Sequence, residues 1–272
     1  MCFTIIPRSQ IQMGFLLIGI TVSAIAFSQN DSTIRYFPWQ TTHYFKLGST
    51  IIQLKQFEYG TNKNIVMINL HDDEITAVDA ANTVLQNTGG ILIKIENKNQ
   101  RLVTFRLNKR QYKFDPNRIF SRSGIIATLK KNKSYSILAV KQIQAFASFV
   151  IKKIPADTKT LIAIHNNDEE RLSISSYQKG GYYEKDVKKL NIQLSEDPDN
   201  FYFTTDKNIF YILSSLRYNV VLQENEKARN DGSLSVYYGR RNMSYVNVEV
   251  NRGQLERQSE MIKVLIRNQN NY

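Results

Sequence analysis

The feature that most constrains this chain is Asn64-Ile65-Val66-Met67-Ile68-Asn69-Leu70-His71-Asp72-Asp73-Glu74, an apolar run that ends abruptly in a histidine and three acids. Ile65 to Leu70 are branched or long apolar residues with one Asn among them, the composition of a strand buried on both faces. From Glu74 the period changes. Ile75, Val78, Ala81, Val84 and Leu85 recur at spacings of three and four, which predicts a helix, and Gly89-Gly90 stops it. A buried strand feeding a helix sets the turn between them at the carboxyl end of a sheet, where open α/β sheets keep their ligands. His71 and Glu74 lie three apart in that turn, so an imidazole and a carboxylate can point at one atom and form half of a zinc site. The competing reading is a polar helix start whose acids are favoured by the helix dipole.

Of the 272 residues, the first 28 have the form of an export signal. Arg8 precedes an apolar core from Met13 to Phe27, and the small residues Ala26 and Ser28 suit cleavage before Gln29. The apolar run is short for a spanning helix, so no stable membrane span is expected once the signal is removed; an uncleaved anchor is the alternative. The mature chain, residues 29–272, has the size of one α/β domain with a large core. The one cysteine, Cys2, falls in the signal, which excludes a disulfide scaffold and thiol chemistry. Export points to a secreted or periplasmic protein. The net charge of +12, or +11 without Arg8, favours anionic partners or is simply a solvated surface. Nucleic acid is not expected, because no nucleic-acid motif is present.

Along the chain, Thr50–Leu54 reads as a short strand, Tyr59-Gly60 as a turn, and His43 as an ordinary structural histidine. Ile91–Glu96 is a strand. Residues 101–106 and 111–114 flank Asn108-Lys109 as a hairpin, which runs into Asp115-Pro116-Asn117-Arg118-Ile119-Phe120. Pro116 stops the ladder and stiffens the backbone that carries Asn117 and Arg118. A helix is predicted near Ser134–Lys153, followed by the strand Thr160–His165 with Asn166 and Asn167. Residues 172–200 read as a pair of short strands and a surface loop. Asp206 caps a helix to about Leu216, Tyr218–Leu222 is a strand, and Asn230-Asp231-Gly232 is a turn. Ser244–Val250 is a strand bearing Glu249, and a last helix covers about Gln254 to Ile266. Strands alternating with helices, without repeats or linkers, predict a single α/β domain with a central, mostly parallel mixed sheet flanked by helices.

Three strands thus end in polar residues: His71 with Glu74, His165, and Glu249. In a mainly parallel sheet these ends share one edge. His71, Glu74 and His165 would give zinc three ligands and leave a fourth position open, the catalytic type of site. Glu249 is the candidate for the base that takes a proton from water and passes it to a leaving nitrogen.

At this point the chain resembles the zinc metallocarboxypeptidases and the related aspartoacylase and succinylglutamate desuccinylase enzymes. The resemblance rests on the H-x-x-E pair His71 and Glu74, on Asn117-Arg118 within D-x-N-R-x-F, on His165 and on Glu249, in that order over roughly residues 60–255. It implies that zinc is held by His71, Glu74 and His165, that Asn117 and Arg118 hold the substrate carboxylate or polarised oxygen, and that Glu249 is the base. It further implies a catalytic role for Arg110, seven residues before Asn117, where the deacylase branch carries another arginine. Guanidinium forks suit both tasks, since they bind carboxylates bidentately and stabilise oxyanions. Two departures stand out: Asp72 follows His71 where the deacylases usually have glycine, and the Ser-Tyr that commonly follows the third ligand in carboxypeptidases is missing after His165. The mobile tyrosine of the carboxypeptidases has Tyr237, Tyr238 and Tyr245 as candidates.

The function these features imply is an exported zinc hydrolase that cuts an amide bond next to a free carboxylate, on a peptide such as a cell-wall or γ-glutamyl chain. The alternatives are a deacylase of N-acyl amino acids with the same fold, and a non-catalytic binding protein that kept it.

Overall fold

The apolar runs form the interior of a large sheet. The computed structural model describes residues 35–167 and 172–268; the expected export signal, residues 1–28, lies outside them. The strands of the main sheet are β1 (Pro38–Leu47), β2 (Thr50–Tyr59), β3 (Val66–Asn69) and β4 (Gly90–Glu96). A separate hairpin, β5 (Val103–Leu107) and β6 (Arg110–Phe114), interrupts the order before β7 (Thr160–Asn167), β8 (Val187–Asn191), β9 (Phe201–Thr204), β10 (Val220–Gln223) and β11 (Ser244–Asn251). The nine main strands run in the order β1-β2-β4-β3-β7-β11-β9-β10-β8. The centre β4-β3-β7-β11 is parallel, while β1, β2 and β9 join antiparallel to their inner neighbours. The protein is therefore an α/β domain built on a mixed sheet whose middle is parallel.

Helices cover both faces. On one side lie α1 (Ile75–Thr88), α4 (Lys207–Ser215) and α6 (Leu255–Arg267); on the other lie α2 (Arg122–Lys131), α3 (Ile137–Ile151), α5 (Leu234–Gly239) and the hairpin. Side-chain alternation sends Leu161 and Ala163 of β7 into the second core and Ile162 and Ile164 into the first. Burying each of the leucine and isoleucine side chains among them stabilises the fold by about 1.5–3 kcal/mol. None of the described helices is long and apolar enough to cross a membrane.

Most expected elements occur within a residue or two of their predicted bounds. The Asn108-Lys109 turn has both residues at positive φ, 50° and 63°, the geometry of a tight two-residue hairpin. Asp206 caps α4 by accepting from the amides of Asn208 and Ile209. The differences are local. The predicted strand at Thr50 is one ten-residue arm of a hairpin whose other ten-residue arm is β1, where mixed Thr and aromatic content conceals a half-exposed ribbon. Residues 172–200 hold only one strand, β8, beside two single-turn 3₁₀ helices at Ile174–Tyr177 and Glu184–Asp186. Helix α5 and the four-residue strand β9 are not expected from the sequence, being too short to show a period. Nor is the ten-residue α2, because Gly124 and Thr128 share its buried stripe with only two large apolar residues, Ile125 and Leu129.

Candidate functional site

The carboxyl ends of β3, β7 and β11 meet at one edge of the parallel centre, and the site is built there. On β7 the alternation that buries Leu161 and Ala163 puts His165 on the same face, two residues before the strand ends at Asn167. On β11 it puts Tyr245, Asn247 and Glu249 on that face and Val246, Val248 and Val250 on the other. His165 and Glu249 are direct register partners, so neighbouring strands deliver both. Tyr245 packs in one core and the three valines in the other, so both faces of this strand are covered.

His71 and Glu74 come from the β3–α1 turn. Glu74 is the residue before α1, yet its side chain makes no capping bond and no acid occupies the first helical turn. The helix start is served from β7 instead, where the Asn166 side chain accepts from the Ala77 amide at 3.0 Å. Glu74 is thereby released to turn inward, which disposes of the helix-dipole reading of this tetrapeptide. Its carboxylate is 1% exposed and is met by four donors. Oε1 lies 3.0 Å from His71 Nδ1 and accepts from Arg101 at 2.8 Å; Oε2 lies 2.9 Å from His165 Nδ1 and accepts from Asn69 at 3.3 Å. One ligand atom from each of His71, Glu74 and His165 lies within 4.8 Å of the others. The prediction that these three converge is thus met in geometry.

On its far side, the His71 ring puts Nε2 2.8 Å from Asp115 Oδ1. The same carboxylate oxygen caps the 3₁₀ turn Pro116–Arg118 by accepting from the Asn117 amide at 2.8 Å. Asp115 therefore ties the His71 ring to the turn that presents Asn117 and Arg118. Asn117 uses its side-chain oxygen to accept from the Leu234 amide, 3.1 Å away. Arg118 donates to the Asn117 carbonyl and lies 3.6 Å from Asp231. The loop carrying Asp231 packs tightly there: a Cβ on Gly232, at φ +83°, would sit 2.6 Å from the Arg118 carbonyl oxygen.

Electrostatics follow from burial. Burial alone would lower the His71 pKa, but the Glu74 and Asp115 carboxylates outweigh it and hold it at about 9. Burial also opposes ionisation of Glu74, yet the His165 and His71 imidazoles keep its pKa well below the usual carboxylate range. Asp115 is held down in the same way, mainly by His71. Glu249 goes the other way, pushed up by burial and by the Glu74 charge against the pull of His165 and the bond donated by Asn247. Together His71, Glu74, Arg101, Asp115, His165 and Glu249 line a cavity of about 160 Å³.

Arg110 is the exception among the expected site residues. It is exposed at the hairpin tip, its guanidinium near the Tyr112 ring, one strand length or about 16 Å from Asp115. Beside Arg118, the arginine that reaches this cavity is Arg101, at the base of that hairpin. Spacing from Asn117 pointed to Arg110, but the hairpin folds back and brings its base, not its tip, to the site. Buried Asp72 pairs with Lys94 at 2.8 Å and accepts from the amides of Asn97 and Asn99, pinning the turn that leads into Arg101. Of the candidate tyrosines, Tyr238 is in the core and Tyr237 is stacked under Arg241. Tyr245 is buried and borders the space behind Glu249, together with Tyr177 and Tyr183.

The geometry defines a buried two-imidazole, one-carboxylate group at the carboxyl edge of an α/β sheet, with two further carboxylates, Asp115 and Glu249, and two arginines, Arg101 and Arg118, around it. No protein-family model matches the chain, and no curated protein does. Solved structures do. An aspartoacylase family protein from Mesorhizobium loti aligns at 14% identity and TM-score 0.42, over 84% of this chain and 66% of its own. A succinylglutamate desuccinylase/aspartoacylase from Rhodobacter sphaeroides aligns at 11% and 0.42, over 84% of this chain and 65% of its own. The ectoine utilization protein EutE from Ruegeria pomeroyi aligns at 13% and 0.41, over 86% of this chain and 70% of its own. This chain thus spans about two thirds of the length of these structures.

Proposed function

We propose that this protein is an exported hydrolase of the aspartoacylase and metallopeptidase type, cutting an amide bond next to a free carboxylate with zinc held by His71, Glu74 and His165. The observation that carries this reading is the buried donor set itself. Two imidazole Nδ1 atoms face one ionised carboxylate, and the far nitrogen of one ring is braced by Asp115. Such a second carboxylate fixes the tautomer and orientation of a ligating histidine, so the residues fit the metal. When bound, zinc supplies Lewis acidity that lowers the pKa of water and polarises a carbonyl.

The remaining steps belong to the chain's own residues. Glu249, with its pKa raised by burial, accepts a proton from the attacking water and returns it to the leaving nitrogen. Arg118 binds the substrate carboxylate through its fork, held in place by the Pro116 turn and Asp231. Arg101, bonded to Glu74 and partly open to solvent, is placed to stabilise negative charge on the carbonyl oxygen.

Metal analysis of the purified chain, with hydrolysis of blocked dipeptides and of N-acyl amino acids, tests the proposal. One zinc per chain with cleavage of either class is expected. Cleavage of the acyl amino acids alone would select the deacylase branch, and a metal-free, inactive protein would leave a binding module.

A further inference from the structure

The two outer edges of the main sheet are finished in opposite ways. At one end β8 has five residues and exposes Lys188 and Lys189, a charged edge that discourages further strand pairing. At the other end β1 has ten residues and exposes Trp39 and Tyr44. Among the described residues no strand pairs with its outer side. Just before it Phe37 is 83% exposed; Trp39 is 75% exposed, Tyr44 64% and, on the adjoining β2, Ile51 54%. Single exposed apolar side chains are ordinary, but four along one hairpin edge mark a contact surface.

Alternation decides the shape of that surface. Trp39 shares the side of the strand on which Phe45 packs against Phe146 and Phe149 of α3. Tyr44 points to the other side, as does Ile51, whose register partner is Lys46. The apolar groups therefore straddle the edge, which suits a flat partner met edge-on and not one lying on a single face.

Charge identifies the partner. Residues 35–49 contain Arg35 and Lys46 and no acid. Helix α3 adds Lys153, its ammonium 5.4 Å from the Phe149 ring. A second copy pairing edge to edge would bring the same cations and no acid to meet them. An anionic lipid surface supplies the opposite charge, and Trp and Tyr favour the boundary between headgroups and acyl chains. The hydrated headgroup layer also satisfies the free N–H and C=O groups of the β1 edge, which the hydrocarbon interior could not. Chain length agrees: residues 28–36 link Phe37 to the apolar run Met13–Phe27, a span of at most about 35 Å.

We propose that the β1 edge docks on an anionic phospholipid bilayer. Phe37, Trp39, Tyr44 and Ile51 enter the headgroup boundary, and Arg35, Lys46 and Lys153 face the phosphates. His71, Glu74 and His165 take no part in this surface, so the proposal stands apart from the hydrolase reading.

Trp39 is the only tryptophan of the chain, so its emission reports on this surface alone. Residues 29–272, which contain the whole compact unit Ile34–Tyr272, are titrated with brominated phosphatidylcholine vesicles with and without phosphatidylglycerol. Trp39 emission should shift to the blue and be quenched on the anionic vesicles. Half-saturation should need about tenfold or more lipid without phosphatidylglycerol, or in about 1 M salt. Lys46→Gln should raise the lipid required by about fivefold, and Tyr44→Ser combined with Ile51→Ser by about tenfold. All three positions are exposed, and unchanged thermal unfolding checks the fold of the variants. Emission indifferent to vesicles, equal quenching on neutral and anionic lipid, or quenching untouched by the substitutions would each overturn the proposal. A blue shift that grows with protein concentration in the absence of lipid would assign the edge to a second copy and overturn it as well.

Discussion

Asp115 joins the His71-Glu74-His165 group to the turn carrying Asn117 and Arg118, and Asp115→Asn separates its charge from its shape. Asparagine caps a helical turn about as well as aspartate, so the bond from the Asn117 amide survives and the fold should lose little. The charge facing His71 Nε2 at 2.8 Å disappears. Loss of such a brace typically weakens metal affinity by about 10–100-fold. Protons act in the opposite direction. With the His71 pKa at about 9, proton competition at pH 7 should weaken zinc binding to the natural protein by about 100-fold relative to pH 9 and above, if the proposed site holds the metal. Removing the Asp115 charge lowers that pKa and relieves part of the competition. The variant should therefore bind zinc about 10–100-fold more weakly near pH 9.5 but come much closer to the natural protein near pH 6.5, giving a shallower dependence of affinity on pH. Competition against a chromogenic chelator across that range measures both slopes, and thermal unfolding of the metal-free forms checks the fold. Parallel curves, or equal affinities at high pH, would refute the claim that Asp115 acts through His71.

Other expectations can be checked alongside. Glu249→Gln should cut turnover by at least ~10²-fold with zinc content unchanged, whereas lost zinc would recast Glu249 as a ligand. Arg101→Ala should lower kcat by about tenfold or more while Arg110→Ala stays within about twofold, and the reverse order in steady-state kinetics would restore the spacing-based choice. Arg118→Lys should raise KM for a free-carboxylate substrate by about tenfold more than for its amidated analogue, because lysine lacks the fork; equal losses would make the arginine structural. The metal-free protein should be most stable at about pH 5–6.5. His71 has a folded pKa of about 9, above its unfolded value, so its contribution is whole below about 6.5 and is lost as pH rises through 9. Glu74 and Asp115 have lowered folded values, so theirs is present above about 4 and is lost on acidification. Melting of chelated protein that did not fall between pH 6.5 and 9 would contradict this.

Local pattern alone determined a great deal here. The apolar runs ending in His71, His165 and Glu249 became β3, β7 and β11, because a strand buried on both faces needs an unbroken apolar sequence. The period change after Glu74 became α1, and Asp115-Pro116-Asn117-Arg118 became a capped rigid turn. Parallel pairing of those strands was enough to put their ends at one edge. The tertiary structure decided the contacts made around them. Arg101 reaches Glu74 across 27 residues, Asp115 reaches His71 across 44, and His165 meets Glu74 across 91. No period of two or 3.6 residues extends over such distances, so the choice between Arg101 and Arg110 depended on which way the β5–β6 hairpin folded back.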